Sequence, residues 1–171
     1  TTANCKCLEV DLGTTLVVED GKNLLVSDVL DLEGTIYLYG DAELVQTSEG
    51  VDLNTGDGSL FKMISEGTTS EYRFNYWGAP VRNGTTYDLE TNLLIVSDPD
   101  DFSLATSPSY TTGYNGSSGT ISSYWLYDFN NSLDWNTIDE TTDKLKGSGF
   151  TMKGLGETTN FVFSGKPNNG D

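Results

Sequence analysis

The chain has 171 residues, of which 36% are hydrophobic and 20% charged, and 9 Lys and Arg stand against 26 Asp and Glu for a net charge of −17. That negative field repels nucleic acid and anionic membrane, and no stretch approaches the ~20 apolar residues of a membrane-spanning helix. Histidine is absent, which excludes Ser-His-Asp and Cys-His nucleophilic sites, His-ligated zinc and the usual general base.

The start, TTANCKC, has no initiator Met, basic region or apolar leader, and it reads as a piece of something longer. Cys5 and Cys7 are the only cysteines. Bonding i to i+2 on a strand would strain the backbone, so they read as two buried thiols or as partners of cysteines outside this sequence.

Residues 8–64 read as short strands cut by Gly and turn residues. The apolar pairs Leu16/Val18, Leu24/Val26, Leu30/Leu32 and Ile36/Leu38, followed by Leu44, recur at roughly 6–10 residues per strand and turn, with no helical period. Turns fall at Asp20-Gly21, Glu33-Gly34, Gly40-Asp41 and Glu49-Gly50. Rungs this short gain a core only by stacking, so the pattern predicts a short β-solenoid over 1–66; a meander or half-sandwich is the competing arrangement.

SEGTTSE, from Ser65, reads as the joint. The stretch 67–171 has longer, more aromatic strands at 71–77, 92–97, 123–129, 149–153 and 159–164, with long loops at 98–120 and 130–147. This predicts an antiparallel β-sandwich or jelly-roll-like part, all-β like the first. Residues 139–146 allow one helical turn. In EYRFNYWGAPV, Tyr72, Phe74 and Tyr76 alternate along a strand and are expected to line the core, with Trp77 at the joint.

The run LVxxGKxLxVxxxLxLxGTIxLxGxAxLVQT, then GVDLNTGDGSLFK, YRFNYWGAPV, GSGFTMKGLG and FVFSGKPNNGD resembles a module of Bacteroidota secreted and cell-surface proteins exported by the type IX pathway. The resemblance covers most of 10–81 and 145–171. It implies a β-solenoid leading into a β-sandwich, upstream of a C-terminal sorting domain, in adhesin-like or structural proteins. It implies an extracellular location and carries no catalytic residues. The sorting domain is not within this sequence.

Three acidic sets have the oxygen chemistry of calcium ligands: Asp98, Asp100 and Asp101; Asp52, Asn54 and Asp57; and Asp128, Asn130 and Asp134. The first is the stronger candidate, and its plain alternative is a solvated loop. Tyr110, Tyr114 and Trp125 lie near a Gly-rich loop and are candidates to stack on sugars. Asn83, Asn115 and Asn130 begin N-glycosylation patterns of the kind expected by chance in such a composition. Paired carboxylates for glycan hydrolysis arise by chance among 26 acids, and about three rungs are too few for a polysaccharide-cutting groove. The expected function is therefore a non-catalytic structural or adhesive segment of an extracellular bacterial surface protein. It would be a stiff spacer contacting neighbouring modules or further copies in a fibre. The alternative is a carbohydrate-binding module using loop aromatics around 98–125, with surface glycans as ligand.

Overall fold

The structure is a computed structural model that describes residues 1–48, 50–64, 67–129 and 134–169. Glu49 of the expected Glu49-Gly50 turn, Ser65 and Glu66 of the joint, and Asn130 lie outside the described residues. The chain is all-β. Its first nine strands are β1 (Thr2–Cys5), β2 (Leu8–Val10), β3 (Thr15–Val18), β4 (Asn23–Val26), β5 (Leu30–Leu32), β6 (Thr35–Leu38), β7 (Glu43–Gln46), β8 (Asn54–Thr55) and β9 (Ser59–Ile64).

These nine strands pair in three parallel stacks, β1-β4-β7, β2-β5-β8 and β3-β6-β9. Thr2 pairs with Asn23 and Asn23 with Glu43; Leu8 pairs with Leu30 and Leu30 with Asn54; Thr15 pairs with Thr35 and Thr35 with Ser59. Alternation sends one apolar set inward, so Leu24, Val26, Leu30, Leu32, Ile36 and Leu38 are buried while their neighbours are not. Leu16 and Leu44, at the two ends of the stacks, are half-buried.

Successive turns nest closely before the third strand of each repeat. The Gly34 N–H donates to the Val10 carbonyl at 2.8 Å and the Gly58 N–H to the Leu32 carbonyl at 2.7 Å. A Cβ at Gly58 would lie 2.2 Å from the Gly34 carbonyl oxygen, so only glycine fits.

The second part comprises β10 (Phe74–Gly78), β11 (Val81–Arg82), β12 (Thr86–Tyr87), α1 (Leu89–Asn92), β13 (Leu93–Val96), β14 (Ser109–Thr111), β15 (Thr120–Ser122), β16 (Tyr127–Phe129), β17 (Trp135–Thr137), β18 (Lys144–Leu145), β19 (Gly149–Lys153) and β20 (Asn160–Pro167). Single 3₁₀ turns occur at Phe102–Leu104 and Ser123–Trp125. β20 joins the two parts. It pairs antiparallel with β9 along one edge and with β13 and then β11 along the other. The sheet β11-β20-β9-β6-β3 therefore runs unbroken from the second part into the first.

A separate antiparallel sheet, β10-β19-β16-β17, packs over β20. Phe150 meets Phe163 edge to face at 6.2 Å between ring centroids, and Trp77 meets Phe161 at 5.0 Å. One apolar cluster runs from Val10 through Leu30 and Leu60 to Met152 and Phe163. The opposite face of β20 is covered as well: Val162 packs with Met63, Val96 and Phe102, and Tyr37, Tyr39 and Phe61 close around them.

The structure corrects two expectations. Tyr72 and Tyr76 do not line the core: they are 85% and 69% exposed, and Phe74 is half-buried. The inner face of β10 is the other one, with Asn75 and Trp77. Period-two alternation groups residues by face without saying which face is inside. Asn75 is tolerated inside because its amide closes on Thr68, accepting from the N–H at 2.6 Å and donating to the carbonyl at 3.0 Å. Residues 139–146 form no helical turn. The Asp139 carboxylate accepts from the N–H of Thr141 at 3.1 Å and the hydroxyl of Thr142 at 2.8 Å, and Lys144–Leu145 then pairs with β12. Among the described residues, the one α-helical turn is α1, where the Asp88 carboxylate caps the Thr91 N–H at 2.6 Å.

Gly58→Ala is expected to lower stability by about 1–3 kcal/mol, the usual cost of forcing atoms into a packed interior. Gly78→Ala, whose Cβ meets nothing closer than 3.7 Å, should stay within about 0.5 kcal/mol of the parent. Urea titrations of both variants read the contrast.

Candidate functional site

The sheet β10-β19-β16-β17 has an inner face that packs on the core and an aromatic outer face. Its inner side carries Asn75, Trp77, Phe150 and Met152. Alternation then turns Phe74 and Tyr76 of β10, Thr151 and Lys153 of β19, Tyr127 and Phe129 of β16, and Trp135 and Thr137 of β17 outward. Register places Thr151 opposite both Tyr76 and Tyr127, and Phe129 opposite Trp135. Thr151 is buried beneath the rings around it.

The rings form a band across the strands. Trp125 and Phe74 lie 6.1 Å apart between centroids, Phe74 and Tyr127 6.2 Å, Tyr76 and Trp135 6.1 Å, and Trp135 and Phe129 5.1 Å. Trp135 is 52% exposed and Phe129 53%. An open hollow of about 330 Å³ is bounded by Phe74, Tyr76, Tyr127, Trp135 and Thr151. Apolar side chains in contact yet left in water on a monomer's surface are the usual mark of a binding face.

At one end the band meets the loop candidates. Tyr114 is exposed and stacks at 4.4 Å on Tyr124, which lies 4.8 Å from Trp125. The Trp125 indole N–H donates to the Tyr114 carbonyl at 2.7 Å, fixing the ring. The Lys153 ammonium lies 3.4 Å from the Trp125 centroid and 5.6 Å from that of Phe74, a cation–π position.

Tyr110 does not belong to this group. It is in β14 rather than a polar loop, and its hydroxyl donates to the Leu89 carbonyl at 2.8 Å. Burial, with Glu140, Asp88 and Glu90 nearby, pushes its pKa well above the usual tyrosine range. It packs on the core and is not presented to a ligand.

The acidic sets are used locally. Asp98 accepts from the Asp100 N–H at 3.0 Å, and Asp101 caps the 3₁₀ turn through the Ser103 N–H and hydroxyl at 3.0 and 2.6 Å. That turn presents Phe102 to the outer face of β20. Asp52 pairs with Arg82, and Asp57 with Lys166 at 2.8 Å. Among the described residues, no three acidic, histidine or cysteine side chains converge on a position that would hold a metal. Cys5 is half-buried, with its thiol 3.6 Å from the Leu25 carbonyl. Cys7 is exposed, which goes against the buried-thiol alternative, and neither cysteine is bonded to the other.

Behind the aromatic face, Lys144 is buried and paired with Asp128, which also accepts from Asn136 at 3.0 Å. Partial burial raises the Asp128 pKa, but the hydrogen bonds from Lys144 and Asn136 and the lysine charge outweigh it, leaving the carboxyl below its ordinary value.

Sequence reasoning overlooked Trp135 and Phe129 and assigned Phe74 and Tyr76 to the interior. The available signal was the Trp-x-Thr alternation at 135–137, the same period as a half-buried strand. Comparison with protein-family models, curated proteins and solved structures gave no match.

Because the Asp128 pKa is depressed in the folded state, its contribution is present above the unfolded carboxylate value of ~3.9 and is lost as pH falls through the folded value. Asp128→Asn should therefore flatten the acid limb of a stability–pH curve below about pH 4. At pH 7 it should cost about 3 kcal/mol, because Lys144 loses its partner. Denaturation series from pH 2 to 7 compare the two chains.

Proposed function

We infer that this chain is a non-catalytic structural and adhesive segment of an extracellular bacterial surface protein. In it, the first part, over 1–66, acts as a short β-solenoid and the second, over 67–171, as a sandwich-like part that closes one end and presents a contact face. The single observation behind this reading is the continuous sheet β11-β20-β9-β6-β3, which gives the two parts one core and so makes them a stiff unit. The resemblance to type IX-exported surface proteins supports the extracellular placement. The lack of histidine, and carboxylates engaged in caps and ion pairs, support the non-catalytic assignment.

The two ends of the stacks differ. β20 occupies the far edge of β9, so a further rung cannot add to all three stacks there. At the other end, β1, β2 and β3 each have one strand edge without a ladder partner among the described residues. Module–module contact is therefore assigned to the β1 end, where paired backbone groups replace exposed ones. A head-to-tail fibre of this chain alone is disfavoured.

Single-molecule pulling through the two ends of the chain tests the stiff-unit reading. One cooperative unfolding event is expected for residues 1–169. Two events separated in force, one for each part, would overturn it.

A further inference from the structure

The geometry points to the outer face of β10-β19-β16-β17 as a binding site for an uncharged polysaccharide, read along the band of rings from Trp125 to Trp135. This extends the adhesive part of the functional reading by naming the ligand.

Three observations select that occupant. The first is chemistry. Tyr76 and Trp135 present ring surface to solvent beside Thr137 and the tyrosine hydroxyls, so apolar faces and hydrogen-bonding groups alternate over short distances. The pyranose ring has the same character, with C–H faces that meet π surfaces and hydroxyls at its rim. The second is shape. The hollow of about 330 Å³ sits at the lower end of small-ligand pockets, room for roughly one sugar unit. It is open, and the rings continue beyond it on both sides, so successive units of one chain find successive contacts. The third is charge. The chain carries −17, which repels acidic glycans, anionic lipid surfaces and a second copy of itself. The cation that enters the face, Lys153, lies against Trp125, where it extends the ring surface.

Tyrosines outside the band of ring contacts and the hollow serve as controls. Tyr72 is the most exposed aromatic of the same stretch and lies before β10 begins. Tyr110 is engaged by Leu89 and contributes nothing.

Affinity electrophoresis of the whole chain through gels containing hydroxyethylcellulose, mixed-linkage β-glucan, xylan or galactomannan tests the site, with sodium polygalacturonate as the charged polymer. At least one neutral polymer should retard the chain, and polygalacturonate should not. Trp135→Ala and Tyr76→Ala should each weaken binding by about tenfold or more, while Tyr72→Ala binds as the parent does. Both rings are largely exposed, so circular dichroism should show an unchanged fold. If Trp135→Ala does not fold, Tyr76→Ala alone decides. Retardation by none of the neutral polymers, retardation only by polygalacturonate, or binding that survives loss of either ring would overturn the assignment. Light scattering that shows a dimer dissolved by Trp135→Ala would also overturn it, making the face a contact between copies. The pulling experiment above does not depend on this face, so failure of either reading leaves the other distinguishable.

Discussion

β20 must satisfy two edges and two faces at once. Its backbone pairs with β9 on one side and with β13 and β11 on the other, so neither edge meets water. Phe161 and Phe163 fill the space beneath the aromatic-faced sheet, while Val162 packs under Phe102 and the tyrosines of the first part. A strand buried on both faces reads as a near-continuous apolar run, and NFVFS is one. Without it, β9 would present an open edge, and the second sheet would lose Phe161 and Phe163 from beneath it.

The polar joins around β20 follow from its position. Asn168 donates to the Ala79 carbonyl at 2.9 Å, and the Asn54 amide reaches the Pro167 carbonyl at 3.2 Å. The Asn92 amide donates to the Ser164 carbonyl at 2.8 Å, tying α1 to the middle of the strand. Asn54 and Asn92 thus converge on the β20 backbone, and Asn168, just past its end, ties it to Ala79. The aromatic face is a further consequence. With Phe150, Met152 and Trp77 committed to the interior, alternation turns Phe74, Tyr76, Tyr127 and Trp135 outward, Tyr76 and Trp135 into water and Phe74 and Tyr127 half-buried, on a sheet whose other side packs on the core.

The short β-strands of the first part were legible because most carry their own signal: an inward apolar pair bounded by a glycine or turn residue. Leu24/Val26, Leu30/Leu32 and Ile36/Leu38 all face inward as the pattern requires. The second part was less legible, for reasons particular to its residues. The alternation at 72–77 was visible, but its inward side depended on whether Asn75 could be satisfied. That depended on Thr68, in a loop with no pattern of its own. The local bonds of Asp98 to the Asp100 N–H and of Asp101 to Ser103 could not be read from the acidic run, because a carboxylate that closes a turn and one that faces a cation are the same residue type. Tyr110 looked exposed because its partner, Leu89, is set by tertiary packing. The pairing of β9 with β20 left no trace in either segment, since an antiparallel partner is chosen by the whole fold.

The place of β20 in chain order has a kinetic meaning. Lys166 and Asp57 meet although they lie 109 positions apart in the chain. Their strands close a long loop whose entropy must be lost before the contact returns anything. A chain emerging from its N-terminal end would make its parallel rungs early, yet hold their last edge unpaired until β20 arrived. During that interval the cluster of Phe61, Met63 and Tyr37 would stand in water. Chains with that edge still unpaired would be kept apart by the dense negative charge along these strands, with Glu19, Asp20, Asp31, Glu33, Asp41 and Glu43 on or beside them.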